Sequence, residues 1–195
     1  METMTTSIIL PFLVFFPFLG AVISYIIGRS NKGARDIWCW ILSAVIFIAS
    51  LMLIGKETVY SLRGFCGLGL SFAADGFGVI LAVLTGAIWL ITTIFSKEYM
   101  AAERNRNRYY FFVFLTLGAT MGIFLSADLF TTFIFFEIMS FTSFVLVMHD
   151  EEDFTVRSAK TYLAVAVIGG LVTLMGLFMM YQKAGTLNMA ELTAF

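Results

Sequence analysis

Polar interruptions divide this chain into six apolar runs, each close to the length of about 17 to 25 residues that a membrane-spanning helix needs. They predict helices over about 7–28, 37–54, 77–95, 109–125, 128–148 and 157–181. The first run follows METMTT, which holds Glu2 and no Lys or Arg, and it is too long for the apolar core of a signal peptide. It predicts a span retained in the mature protein, bent by Pro11 and Pro17. Trp38 and Trp40 open the second run, where an interfacial aromatic belt belongs. The stretch LRGFCGLGLSFAADG, with Gly64, Gly67 and Gly69, fits either an ordered hairpin or re-entrant piece packed on protein, or a plain surface loop.

Two patterns of small residues suggest where helices meet. Gly118 and Gly122 form a GxxxG step in the fourth run, and Gly169, Thr173 and Gly176 place small residues along one face of the sixth. Charge suggests the orientation. With the first loop inside, the inside segments hold Arg29, Lys32, Arg35, Lys97, Arg104, Arg106, Arg108 and Arg157, and the outside ones only Lys56, Arg63 and Lys183. That bias predicts both termini outside and the acidic turn HDEEDF inside, because Asp and Glu carry little weight in the rule.

Composition agrees with the pattern. The chain is 60% hydrophobic and 13% charged, more apolar than a soluble domain of 195 residues could bury, so one all-α integral membrane domain over 1–195 is predicted. A net charge of −1 and the lack of a long basic run leave no electrostatic footprint for nucleic acid. Cys39 and Cys66 have no metal-type spacing, and the chain has no His and Cys set for a redox centre, so no cofactor is expected.

The chemistry concentrates in DLFTTFIFFEIMSFTSFVLVMH, 128–149, whose only charge away from its ends is Glu137. Glu137 is nine residues after Asp128, roughly 13 Å along a helix, which places it near the bilayer centre. An ionised carboxylate there costs about 2.5 to 3.5 kcal/mol on insertion scales unless it is protonated, paired or hydrated. One cation about 4 Å away is worth roughly 4 kcal/mol at an effective dielectric near 20, so a moving neighbour could load and unload a proton. The alternative is a neutral Glu held by a hydroxyl for packing. Ser140 and Ser143 form a polar edge beside it, able to bond the carboxyl group or their own helix backbone. Asp128 falls on the opposite face and, like Asp75, fits a helix cap. His149, the only histidine, ends the run on the inside as a candidate relay. Lys160, near the start of the sixth run, either snorkels to the interface or acts on the site.

The segment FIFFEIMSFTSFVLVMH, the acidic turn and RSAKTYLAVAVIGGLVTLMGLFMMY resemble the antiporter-like membrane subunits of respiratory complex I, Mrp-type cation/proton antiporters and membrane-bound hydrogenases. Phe135, Phe136, Glu137, Ile138, Ser140, Ser143 and Phe144 carry the likeness, and His149 with 160–170 looks most like the large Mrp subunit and its hydrogenase relatives. The resemblance implies that Glu137 is one half of a Glu and Lys pair beside a hydrated proton path. It also implies that Lys160 corresponds to a lysine at the start of the sixth helix. The family's inverted repeats run on to lysine-bearing helices that this sequence lacks, so only the first part of the fold is expected here, with another chain as the source of the missing lysine.

The function these readings predict is a multi-pass inner-membrane subunit of a multisubunit complex that translocates H+ or Na+. Glu137 exchanges the proton, Ser140 bonds it, and Lys160 and His149 modulate and relay. Its partners are the lipid bilayer and other membrane subunits. The rival is an assembly subunit of such a complex with no ion path, docking neighbours through its glycine seams and aromatic belts. A stand-alone transporter has little support, since six helices without a visible internal repeat offer no basis for alternating access.

Overall fold

Long apolar runs joined by short polar links fold into antiparallel helices, because every backbone polar group of a span must be satisfied inside its own helix. A computed structural model describes residues 5–62, 64, 69–101, 103 and 105–192. Its long helices are α1 (Ile9–Ser30), α2 (Lys32–Leu51), α3 (Gly76–Tyr99), α4 (Arg106–Phe124), α5 (Leu129–Val147) and α6 (Asp153–Ala184), followed by a short α7 (Met189–Leu192). Arg63, Cys66, Gly67 and Arg104 lie outside the described residues. Pro17 sits inside α1, and Asn31 caps α2 through its side-chain oxygen.

The helix α4 is the centre of the molecule, packed between α1 and α5, with Phe114, Leu117, Ala119 and Met121 fully buried. The GxxxG step lies within it but serves two neighbours. A Cβ on Gly118 would come within 2.6 Å of the Phe18 ring and 2.8 Å of the Val14 carbonyl on α1, while one on Gly122 would enter the Phe135 ring on α5. Among the described residues five helices, α1, α2, α3, α5 and α6, are long and apolar enough to cross a membrane. Only 6% of the apolar window of α6 is buried, against 44% for α2, so α6 touches the rest of the chain along a single line.

The described residues on either side of 65–68 form strands. Strands β2 (Thr58–Leu62) and β3 (Leu70–Ala74) pair antiparallel, and the short β1 (Thr5–Thr6) adds to β2 in parallel, so a small sheet accompanies the helices. Phe72 of β3 is fully buried and its ring lies 5.8 Å from that of Phe135. The link from α4 to α5 runs alongside β3: the Ala73 amide donates to the Leu125 carbonyl at 2.8 Å and the Ala127 amide to the Ser71 carbonyl at 2.9 Å.

Asp128 and Asp75 are both helix caps. Asp75 accepts from the Gly78 amide at 2.9 Å. Asp128 accepts from the Thr131 amide at 2.7 Å, the Thr131 hydroxyl at 2.6 Å and the Ser71 amide at 3.2 Å, which fixes the start of α5 to β3. Asp128→Ala should therefore cost more than an isolated cap, about 2 kcal/mol, at the top of the usual range. Hydrogen exchange checks it: the Ser71 and Thr131 amides should exchange faster while those in the middle of α4 do not.

Candidate functional site

The site is built where α5 and α6 cross. The buried line of α6 is Ala159, Gly170 and Leu177, with Leu163 and Ala166 half-buried between them, a spacing of three and four that keeps one face against α5. Gly170 meets Glu137. A Cβ on Gly170 would stand 2.8 Å from the Glu137 Cδ, 2.9 Å from Oε2 and closer still to Oε1. The carboxyl group thus occupies the space of a missing side chain. Its Oε1 is buried with no hydrogen-bond partner, an arrangement that folded proteins rarely leave without a use.

The expected seam faces the other way. A Cβ on Gly169 or Gly176 would meet nothing within 4 Å, and Thr173 bonds its own helix at the Gly169 carbonyl, 2.9 Å away. One residue on a helix turns the face by about 100°, so Gly170 packs and Gly169 is bare. Among the described residues, no hydrogen bond or ion pair joins Glu137 to Ser140, Lys160 or His149. Ser140 is buried at 7% exposure, yet among the described residues no hydrogen bond joins it to Glu137. Lys160 is exposed, makes no ion pair among the described residues, and lies ten residues before Gly170, roughly 15 Å along α6. The α6 helix begins at Asp153, so Lys160 is in its second turn.

His149 stands at the far end of α5, about 18 Å from Glu137 by helical rise. Its ring meets Tyr109 edge-on at 5.7 Å, its Nε2 is buried without a partner, and its carbonyl accepts from Arg108 Nη2 at 2.8 Å. Between the two levels, Thr116 of α4 and Thr142 of α5 bring their hydroxyls to 2.9 Å.

A second polar cluster lies at the same end as His149. The Arg35 side chain, 1% exposed, donates to Asp36 Oδ1 from Nη2 at 2.7 Å and from Nε at 3.0 Å, donates from Nη1 to Asn107 Oδ1, and lies 4.8 Å over the Tyr110 ring. Arg106 reaches Asp36 Oδ2 at 3.4 Å and the Lys97 carbonyl at 3.1 Å. This network ties α2, α4 and the end of α3 together. In the sequence Arg35 reads as a loop charge and Asp36 draws no notice; the signal is an acid next to an arginine at the threshold of an apolar run. Asp36→Ala should strand a buried guanidinium and destabilise by roughly 3 to 5 kcal/mol, while the paired change Arg35→Met with Asp36→Leu recovers most of it. Thermal unfolding in detergent reads both.

Helices with bare apolar exteriors, five of them long enough to cross a bilayer, define a multi-pass membrane protein. The family model described as "NADH:quinone oxidoreductase/Mrp antiporter, TM" matches residues 126–195. A Na(+)/H(+) antiporter subunit of Alkalihalophilus pseudofirmus is 30% identical over 124 residues, 64% of this chain and 25% of its own length. The putative antiporter subunit mnhD2 of Staphylococcus aureus is 28% identical over 197 residues, 97% of this chain and 39% of its own. Two solved structures share the fold. They are an archaeal respiratory complex, the membrane-bound sulfane sulfur reductase (TM-score 0.86, 18% identity, 97% of this chain and 40% of that one), and the Mrp complex from Dietzia sp. DQ12-45-1b (TM-score 0.80, 22%, 93% and 20%). These matches support the antiporter-like membrane subunit family as the one this chain resembles. It spans 25% and 39% of the length of these two curated relatives.

Proposed function

We propose that this chain is a six-span subunit of a proton- or cation-translocating complex of the inner membrane, with both termini outside, and that Glu137 is its proton-exchanging carboxylate. The observation that carries the reading is the Glu137 carboxyl itself: buried at Oε1 without a partner among the described residues, and housed in the gap that Gly170 leaves on α6. A purely structural role does not account for it, since a buried unpaired carboxyl destabilises the fold that holds it. The protein's relatives are named as antiporter subunits, which supports the same class of function.

Glu137 acquires its cation from outside the described residues, whether later in the same polypeptide or in another subunit. His149, beside Tyr109 at the arginine-rich end, serves as the relay on the inside, Ser140 as the nearest polar companion on α5, and Lys160 as a modulator at the start of α6. The rival, a scaffold subunit with no ion path, draws on Gly118, Gly122 and Gly169; the first two are taken up in packing within the chain, while a Cβ on Gly169 meets nothing within 4 Å and leaves that position open to a neighbour. Glu137→Gln separates the two. Lost ion coupling in a fully assembled complex supports the ion path; unchanged coupling supports the scaffold.

A further inference from the structure

We infer that the cleft at the arginine-rich end of α1, α2 and α4 binds the headgroup of an anionic phospholipid. The cleft, of about 880 Å³, is lined by the cations Lys32, Arg35, Arg106 and Arg108, with Glu103 as the acidic residue on its wall. Asp36 pairs with Arg35 and, at 3.4 Å, with Arg106, and Glu151 pairs with Arg108, so these three cations are neutralised in part. The Nε atoms of Arg106 and Arg108 are buried and, among the described residues, have no hydrogen-bond acceptor for their N–H groups. Lys32 forms no ion pair among the described residues.

The start of α4 is itself unfavourable without an anion. Asn105 holds a left-handed backbone at φ 59° and its side chain caps nothing, no acid sits in the first turn, and Arg106 and Arg108 place positive charge on the positive end of the helix dipole. Local rules broken together in this way mark sites where something else completes the structure. A phosphodiester in the cleft would meet the cations that line it and the positive end of the α4 dipole at once.

The other wall selects a lipid over a soluble anion. Tyr25, Phe111 and Phe112 line the same cleft, with the Tyr25 and Phe111 rings 5.8 Å apart. Tyr25 leads onto the bare side of α1, where Val22 and Ile26 are 47% and 62% exposed. The cleft therefore offers charge to a headgroup and an apolar track to its chains. This inference does not depend on the role of Glu137.

Native mass spectrometry of the full chain in its purified assembly, delipidated and titrated with phosphatidylglycerol or phosphatidylcholine of the same acyl chains, tests it. The wild type should prefer phosphatidylglycerol, and Lys32→Glu with Arg108→Gln should weaken that lipid by about fivefold per cation while leaving phosphatidylcholine unchanged. Lys32→Arg with Arg108→Lys controls for folding and should keep the preference. No preference in the wild type, as when another protein fills the cleft, overturns the inference. So does equal binding by the charge-removing variant. Displacement of phosphatidylglycerol by excess inorganic phosphate assigns the site to a soluble anion and overturns it too.

Discussion

Glu137→Gln should yield a complex that assembles in full and moves ions at background rate. The substitution keeps the shape, removes the exchangeable proton and leaves packing on Gly170 unchanged, so structure and chemistry part company at one atom. On the stability side the change is small or favourable, since a neutral amide replaces a carboxyl whose Oε1 has no partner. On the functional side the loss should be at least about a hundredfold, the size of effect found when an essential proton-transferring group is removed. Gradient-driven pH change inside vesicles, read beside the subunit content of the purified complex, gives both numbers. Asp128→Asn is the control carboxylate: it lies at the start of the same helix and should affect the cap and spare ion movement, because Asp128 is committed to Thr131 and Ser71. If Glu137→Gln pumps normally, the ion-path reading is lost.

The long apolar helices were legible in the sequence because a bilayer imposes simple rules: apolar runs must be long, and a charge inside one, such as Glu137, is costly and calls for a reason. The two caps were legible for a similar reason, since Asp128 and Asp75 each stand just before an apolar run with free amides to satisfy. Neighbour relations were harder. Small residues on α6 offer two candidate faces about 100° apart, and only the position of α5 tells Gly169 from Gly170. The glycine-rich hairpin reads equally as an ordered piece or a loop, because its order comes from outside itself, through Ser71 and Ala73 bonding to the link between α4 and α5. The Arg35 network is hidden because two charges at a helix threshold ordinarily belong to water. They are buried here because Asn107, 72 residues after Arg35, and Tyr110 arrive from α4.

Gly170→Ala should reproduce much of the Glu137→Gln defect without removing the carboxylate. The added methyl group claims the volume in which the Glu137 carboxyl sits, and the atoms it meets are the far end of a flexible side chain. The carboxyl therefore swings away at little energetic expense, and the loss of stability should stay within about 1 kcal/mol, because no backbone is forced apart. Function has no such latitude, since proton transfer needs donor and acceptor within about 3.2 Å, and a displacement of an ångström or two breaks that contact. A fall in ion movement of about tenfold with nearly unchanged thermal unfolding is the expected result. Gly118→Ala supplies the opposite pattern: its methyl meets the Val14 carbonyl and the Phe18 ring, so stability drops by roughly 1 to 3 kcal/mol and ion movement falls only as far as assembly does. Gly169→Ala, with nothing within 4 Å of the new atom, should affect neither. Normal ion movement in Gly170→Ala, alongside a dead Glu137→Gln, would leave the carboxylate essential and show that its place against α6 does not matter. Equal defects at Gly169 and Gly170 would point instead to a general loss of fit along α6.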